Sequence, residues 1–521
     1  MGLPDSSSLA FLTKSAFGDG ALYAALLATL LCSLFVLQSV RKPKIKVPIL
    51  LRDEMSSASK RAAEYSTNGR ALLEKGYAKV SFTGSSLGSL TNHPGHQHKE
   101  EIWGYDTHDG VKLVIPRNRW DEFRNHPGFT FKASVDNDML VEYTKFGGPP
   151  DYFNKAITSG LNPTLGEYAP VLHALIQKHM KAVIGEYPEW TEVKVHERML
   201  TLVTRVSSRA FYGSAMTGSD EWLALAYGYL GSVIGTIRQL KTFPPWLRPL
   251  VHLVSPRRKA IRKQFDEAKK IVAETIRQRR EIGGGPLDSP PSLFDHLTTG
   301  KNAQYAEHVD TQTLHQMTLI AVGNSTTVSS AVQALYDLVE NRGYIPVLMK
   351  ELQEAPRDAD GYLTRQALQE MRLMDSLLKE SFRLNGAGMT TFARASVKDV
   401  TLSDGLFVPK GTKVEIAAGA IDRDDQQWPD ANKFDPTRHY KARQQQGHEK
   451  KHTFVSTSQE DLGFGYGRHV CPGRYLTDIV DKLVLSELLL NYDMKYLPGK
   501  GRPANFEYEN IVSGSILMYG L

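Results

Sequence analysis

The segment that most constrains this chain is short and lies near its carboxy end: FGYGRHVCPGR over residues 464–474. Cys471 follows a glycine-rich turn, precedes Pro-Gly and stands just ahead of 475–490, a stretch with helical apolar spacing. A cysteine so placed sits near a helix amino terminus, where unpaired N–H groups and the helix dipole favour the anionic thiolate. Gly467 and Gly473 remove side chains where the backbone would lie flat against a planar group. His469 and Arg474 are candidates to meet anionic substituents on such a group.

The bulk of the chain fits one large body around that loop. The 521 residues are 41% hydrophobic and 23% charged, a globular balance. After residue 60 no Pro/Gly/Ser-rich linker separates folding units, and GGGPLDSPPS at 283–292 reads as a long surface loop between helices. The formal charge of +6 is modest, and no basic stripe is interleaved with aromatics, so a nucleic-acid partner is not expected. The basic runs at 41–46 (RKPKIK) and 257–263 (RRKAIRK) read, on charge alone, as solvated faces. The two cysteines, Cys32 in an apolar run and Cys471 in the loop, are not expected to pair. Cys471 is therefore either an inert buried thiol or a ligand or nucleophile.

The first run gains a second meaning from its position. Residues 21–40 read ALYAALLATLLCSLFVLQSV, 20 residues without a charge. That length matches a hydrocarbon core about 30 Å thick. A cleaved signal would carry its basic segment before the apolar run, whereas here it follows. The expectation is a transmembrane anchor at 21–40, a short lumenal amino terminus at 1–20, a basic, Pro-containing linker at 41–59, and a cytosolic domain over 60–521. The endoplasmic reticulum is the natural membrane. A second apolar segment, FPPWLRPLVHL at 243–253, reads equally as a membrane contact or a buried loop.

Helical spacing covers 221–240, 257–281, 310–340, 344–354, 364–384 and 475–490. Strand patterns are fewer: 111–116, 395–402, 406–416 and, weakly, 510–518. The class is mainly α with a small β-rich part.

Three further motifs stand upstream of the cysteine. Glu380 and Arg383, three apart, share one helical face. FDPTR places Arg438 downstream of them, and Arg394 lies between, in TFAR. The long helix carries VGNSTT at 322–327. The cysteine loop matches Phe-x-x-Gly-x-Arg/His-x-Cys-x-Gly, the haem signature of the cytochrome P-450 family, at Phe464, Gly467, His469, Cys471 and Gly473. With the other motifs in the family's order, the chain from about residue 60 resembles that family, and ALYDL (334–338) and VTLSDG (400–405) are similar to its fungal secondary-metabolism members.

The resemblance implies haem b with Cys471 as the axial iron ligand, whose thiolate favours O–O cleavage. It implies a structural triad of Glu380, Arg383 and Arg438, and Arg394 on a haem propionate. In the oxygen-activating helix it gives Gly323 the role of opening space over the iron and Thr326 that of helping deliver protons. Ser325 occupies the family's acid position, and a hydroxyl is a poor proton source, so the usual relay is in doubt; Asn324 or ordered water is the alternative. The implied partners are an NADPH-dependent cytochrome P-450 reductase, membrane lipid and a lipophilic small molecule, with residues 386–391 and the helix around Ile320 and Gly323 facing the substrate. The expected reaction is monooxygenation, most simply hydroxylation of a terpenoid or alkaloid intermediate. Oxidative coupling, desaturation or rearrangement is the rival on the same haem, and a non-catalytic haem-binding membrane protein the rival of another class.

Overall fold

The computed structural model describes residues 45–79 and 101–513, with Thr29 by itself. The expected anchor at 21–40, Thr29 apart, and the segment before it lie outside the described residues. Among the described residues no helix is long and apolar enough to cross a membrane.

The principal elements begin with helix α1 (Ala58–Lys79), hairpin strands β1 (Trp103–Thr107) and β2 (Gly110–Val114), and the short helix α2 (Trp120–Arg124). Strand β3 (Phe129–Thr130) leads into α3 (Phe131–Asp138), and a helical array follows: α4 (Asn162–Ile184), α5 (Val195–Tyr212), α6 (Asp220–Lys241), α7 (Arg248–Val254) and α8 (Pro256–Glu281). The central helix runs as α9 (Val309–Leu319), a π-turn over Ile320–Asn324, and α10 (Ser325–Glu340). Next come α11 (Ile345–Glu354), α12 (Arg365–Glu370) and α13 (Arg372–Asn385). Strands β4 (Thr391–Ser396), β5 (Val400–Thr401), β6 (Phe407–Val408) and β7 (Lys413–Ile416) precede α14 (Arg438–Arg443), α15 (Arg474–Asn491), β8 (Phe506–Tyr508) and β9 (Ile511–Ser513).

The chain divides into two units, the larger comprising Val47–Val397 with Thr412–Leu521. The smaller comprises Met1–Lys46 and Lys398–Gly411, and its described core is the β5–β6 hairpin, Val400 opposite Val408, turning through Gly405 at φ 84°. In the larger unit one sheet of order β1-β2-β7-β4-β3 is antiparallel except where β2 runs parallel to β7. Already at Ile49 the chain bridges to Gly104 of β1, within the stretch expected as linker.

The mainly α class with a small β part is as expected. The helices expected at 221–240, 257–281, 310–340, 344–354 and 475–490 are all present, while 364–384 is broken at Met371, whose ψ of 74° leaves the helical region. Two expected strands are each split, 395–402 into β4 and β5 and 406–416 into β6 and β7. Helix α4 escaped the periodic reading because Pro163 and Pro170 look like breakers; the structure puts Pro163 in the first turn, where its missing N–H has no partner to lose, and keeps Pro170 inside. Residues 327–339 of α10 are all buried, as expected of a helix packed on every side.

Candidate active site

Cys471 is half-buried, three residues ahead of α15. Its backbone N–H donates to the Phe464 carbonyl at 2.8 Å, which closes the loop on itself. The Phe464 ring packs 4.8 Å from Phe382 of α13 and 5.2 Å from Phe454, so the loop is seated on the Glu-Arg helix. Burial pushes the Cys471 thiol up; the N–H groups of Gly473 and Arg474 and the Arg474 charge pull it down without reversing the shift. Helix-end placement alone therefore does not yield the expected thiolate, whereas a bound metal ion deprotonates such a thiol outright.

Two residues of the loop also have work within the protein. Gly467 has φ 77°, and a Cβ there would come 2.8 Å from Arg124 Cδ, so it serves a left-handed turn and the approach of Arg124. Arg474 donates to the Cys471 carbonyl at 2.8 Å and to Tyr475 Oη at 2.9 Å, committing most of its guanidinium to the loop. Gly473 caps α15, with open space where a Cβ would stand. Other elements hold the loop in ways no sequence pattern announced. Arg124 of α2 donates to Tyr466 Oη at 3.3 Å, Trp120 packs tilted against the Tyr466 ring at 5.7 Å, and Asn162 of α4 donates to the Pro472 carbonyl at 3.1 Å.

Arg394 of β4 is 2% exposed. One of its nitrogens donates to the Ala393 carbonyl at 2.8 Å, and its guanidinium lies over Phe392 at 4.2 Å and Phe131 at 6.0 Å. Nη2 has no hydrogen-bond partner among the described residues. Burial brings this guanidinium down to about 10. His469 stacks on the same Phe131 ring at 5.4 Å; burial, with Arg394 and Arg468 nearby, lowers its imidazole to about 4. A buried cation without an anion is unfavourable. A group offering carboxylates to Arg394 and a metal to Cys471 answers both, and haem, with its propionates and iron, is such a group.

Glu380, Arg383 and Arg438 are brought together as expected. Glu380 is fully buried; Arg383 grips it bidentately at 2.8 and 2.9 Å and Arg438 Nε donates at 3.0 Å. The remaining arginine donors reach backbone carbonyls of Asp422, Ala431, Pro429, Asp430 and Lys433. A fourth member was missed: buried His439 of α14 places Nε2 3.3 Å from the same carboxylate. Burial would raise the Glu380 carboxyl, but Arg383, through its hydrogen bonds and charge and with His439 close by, outweighs it and holds it well below the usual carboxylate range.

A Cβ on Gly323 would stand 2.7 Å from the Phe211 ring of α5, so in this turn the glycine admits a phenyl ring. Ile320, expected to face substrate, is 1% exposed. The water-accessible strip is instead Val322, 43% exposed, with Thr326, whose hydroxyl donates to the Val322 carbonyl at 2.8 Å. Ser325 donates to the Ala321 carbonyl at 2.9 Å, and the Asn324 amide is buried with both polar atoms unpartnered among the described residues. Thr327 meets Thr477 of α15 at 3.1 Å, which sets this turn beside the helix that begins at the cysteine loop. Residues 386–391 border a cavity of about 70 Å³ shared with Arg383 and Asp422.

Comparison with known proteins agrees with this geometry. The cytochrome P-450 family model matches residues 152–517. The chain belongs to the cytochrome P-450 family. It is 31% identical to a cytochrome P-450 monooxygenase of Emericella nidulans over 418 residues, 78% of each chain. It is 33% identical to one of Penicillium crustosum, covering 78% of this chain and 80% of that one, and 28% identical to one of Annulohypoxylon truncatum, covering 90% and 91%. This cytochrome P-450 is thus a haem monooxygenase of a type found in fungi, and the helices from α4 onward, with the cysteine loop, fall within the matched region.

Proposed function

We propose that the chain inserts one oxygen atom from O2 into a lipophilic small molecule of terpenoid or alkaloid type, most simply as a hydroxyl group. Haem b would supply the oxygen chemistry, with electrons from NADPH delivered by a membrane-bound reductase. The observation that carries the reading is the pairing of half-buried Cys471 with the anion-less Arg394, joined through His469 and Phe131. Cys471 would bind the iron, and Arg394 the propionates. Phe464 holds the loop against α13, and the Glu380 cluster holds α13 against the segment leading to α14.

Proton delivery falls to hydroxyls. Thr326 lies on the accessible strip, and Ser325, half-buried and bonded to Ala321, stands where the family has an acid. Ser325 also favours the second reading, coupling or desaturation, in which no oxygen atom stays in the product. Turnover with the reductase and ¹⁸O2 separates the two: label in the product supports insertion, and NADPH consumption with unlabelled product supports the alternative. Substrate-independent NADPH use alone, across a panel of lipophiles, would count against both.

Membrane residence is part of the proposal. The anchor at 21–40 with its basic flank at 41–46 would place the catalytic body on the cytosolic side of the endoplasmic reticulum. Helix α7 and its approach add an exposed apolar surface, with Trp246 at 56%, Leu250 at 60%, Leu253 at 61% and Val254 at 82%. Exposure on that scale argues for lipid contact over the buried-loop reading. Exposed Arg257 and Lys259 follow, suited to anionic headgroups.

A further inference from the structure

We infer that Asp481 is a positioning residue: a neutral buried acid that donates to Ser330 and fixes how far the central helix slides along the helix of the cysteine loop. The inference deepens the haem reading above and rests on it.

The protonation state follows from the surroundings. Asp481 of α15 is 0% exposed. Its Oδ2 meets the Ser330 hydroxyl of α10 at 2.5 Å, and Oδ1 has no hydrogen-bond partner among the described residues. Lys482, its neighbour in sequence, is committed elsewhere, to Asp375 at 2.7 Å and Asp478 at 2.8 Å. An ionised carboxylate with one hydroxyl for a partner and a second acid nearby would be an uncompensated buried charge, and such a group keeps its proton instead. Burial, with Asp478 adding to it and the Ser330 hydrogen bond only partly opposing it, pushes the Asp481 carboxyl well above the usual carboxylate range.

Hydrogen-bond accounting gives the same answer. Ser330 has one hydroxyl proton, and its oxygen also lies 2.9 Å from the Thr327 carbonyl, which can only accept. With both contacts made, the serine proton goes to Thr327, and the proton between Ser330 and Asp481 is the acid's own.

What this bond does follows from where it sits. Helices α10 and α15 contribute Val328, Ala331, Leu335, Val480, Val484 and Leu488 to one apolar core, whose attraction is non-directional. Two polar contacts join the helices within it, Thr327 to Thr477 at 3.1 Å and Ser330 to Asp481. Their members are three residues apart on α10 and four apart on α15, so the contacts stand one turn apart on each helix. Rungs so spaced are satisfied together at one axial offset, and a slide of one residue's rise, about 1.5 Å, breaks both. Helix α10 carries Thr326 in its first turn, and α15 starts three residues after Cys471. The two rungs therefore set the height of the Thr326 hydroxyl relative to the Cys471 ligand.

The test uses the full-length holoprotein and three variants. Asp481→Asn keeps a donor, Asp481→Leu fills the space without one, and Ser330→Ala removes the acceptor alone. Two infrared readings are taken. The wild-type-minus-asparagine spectrum of the resting protein should contain a carboxylic-acid C=O band that shifts in D2O; a carboxylate band in its place overturns the inference. In the reduced protein under carbon monoxide, the stretch of the bound CO reports the polar groups around it. It should be unchanged in Asp481→Asn and displaced or split in Asp481→Leu and Ser330→Ala. A residue that merely fills space would leave the leucine variant's CO band unmoved or shift that of the asparagine variant, and either result overturns the inference. If the wild type binds no carbon monoxide, the haem reading falls and the inference with it; the carboxylic-acid band, read without the ligand, keeps the two failures apart.

Discussion

Two buried clusters flank the cysteine loop, and they treat charge in opposite ways. Around Glu380 the chain satisfies itself: one carboxylate, two arginines, a histidine and a ring of backbone carbonyls leave the arginines with partners from the protein alone. Around Arg394 the chain stops short, with a buried guanidinium held between two phenyl rings and given one carbonyl and, among the described residues, no carboxylate. A closed cluster is what holding a fold requires. An open one marks where something from outside is to bind. Residue type does not distinguish the two arginine sites; their partners do.

The contrast predicts different failures. Glu380→Ala should be the most damaging change, because it leaves Arg383 and Arg438 facing each other without an anion. The expected loss is about 3–5 kcal/mol, read from the denaturant midpoint and the yield of folded protein. A variant with wild-type stability would show that the cluster is decorative. Arg394→Met should do the reverse: haem dissociates more readily, while the haem-free chain is as stable as before or gains about 1–3 kcal/mol from losing an unpaired buried group. Haem retention on gel filtration, beside the melting point of the haem-free protein, gives both halves of that comparison.

The closed cluster also sharpens on titration. Glu380 has a carboxyl pKa lower in the folded than in the unfolded chain, so its stabilisation is complete above the ordinary carboxylate range and is lost as pH falls through it. Asp422, whose carbonyl Arg383 contacts, has a carboxyl pushed up by burial to about 8. Its sign is opposite: it costs nothing below the unfolded value and destabilises increasingly as pH rises toward 8. Asp422→Asn should flatten the stability–pH curve between the ordinary carboxylate range and about pH 8 and leave the region below that range alone. Smallest of all should be His439→Gln, since Glu380 keeps both arginines; a loss near 1 kcal/mol in chemical denaturation is expected.

What the sequence disclosed depended on distance along the chain. The cysteine loop and the Glu380–Arg383 pair are local patterns, and a helix or turn of known geometry already places their members together. Arg438 and Arg394 could be placed only through the family resemblance. The partners of the loop, Trp120, Arg124 and Phe131, lie more than 300 residues away from it and carry no marker of their role. His439 was overlooked although it adjoins Arg438, because a histidine after an arginine is unremarkable until the helix carries it onto Glu380. The packing of the central helix was hidden for a different reason. The roles of Gly323 and Thr326 came through the family resemblance, while the local packing of this turn, with Gly323 against Phe211 and Val322 and Thr326 exposed, follows a π-turn. Nothing in residue composition announces a π-turn.

The central claim is that Cys471 binds haem iron as a thiolate. The most direct test is the difference spectrum of the dithionite-reduced, carbon monoxide-treated protein in microsomes, recorded beside Cys471→Ala. The account predicts a strongly red-shifted Soret band in the wild type that is absent from the variant. A folded wild-type protein that shows no such band, or a variant that keeps it, would contradict the account.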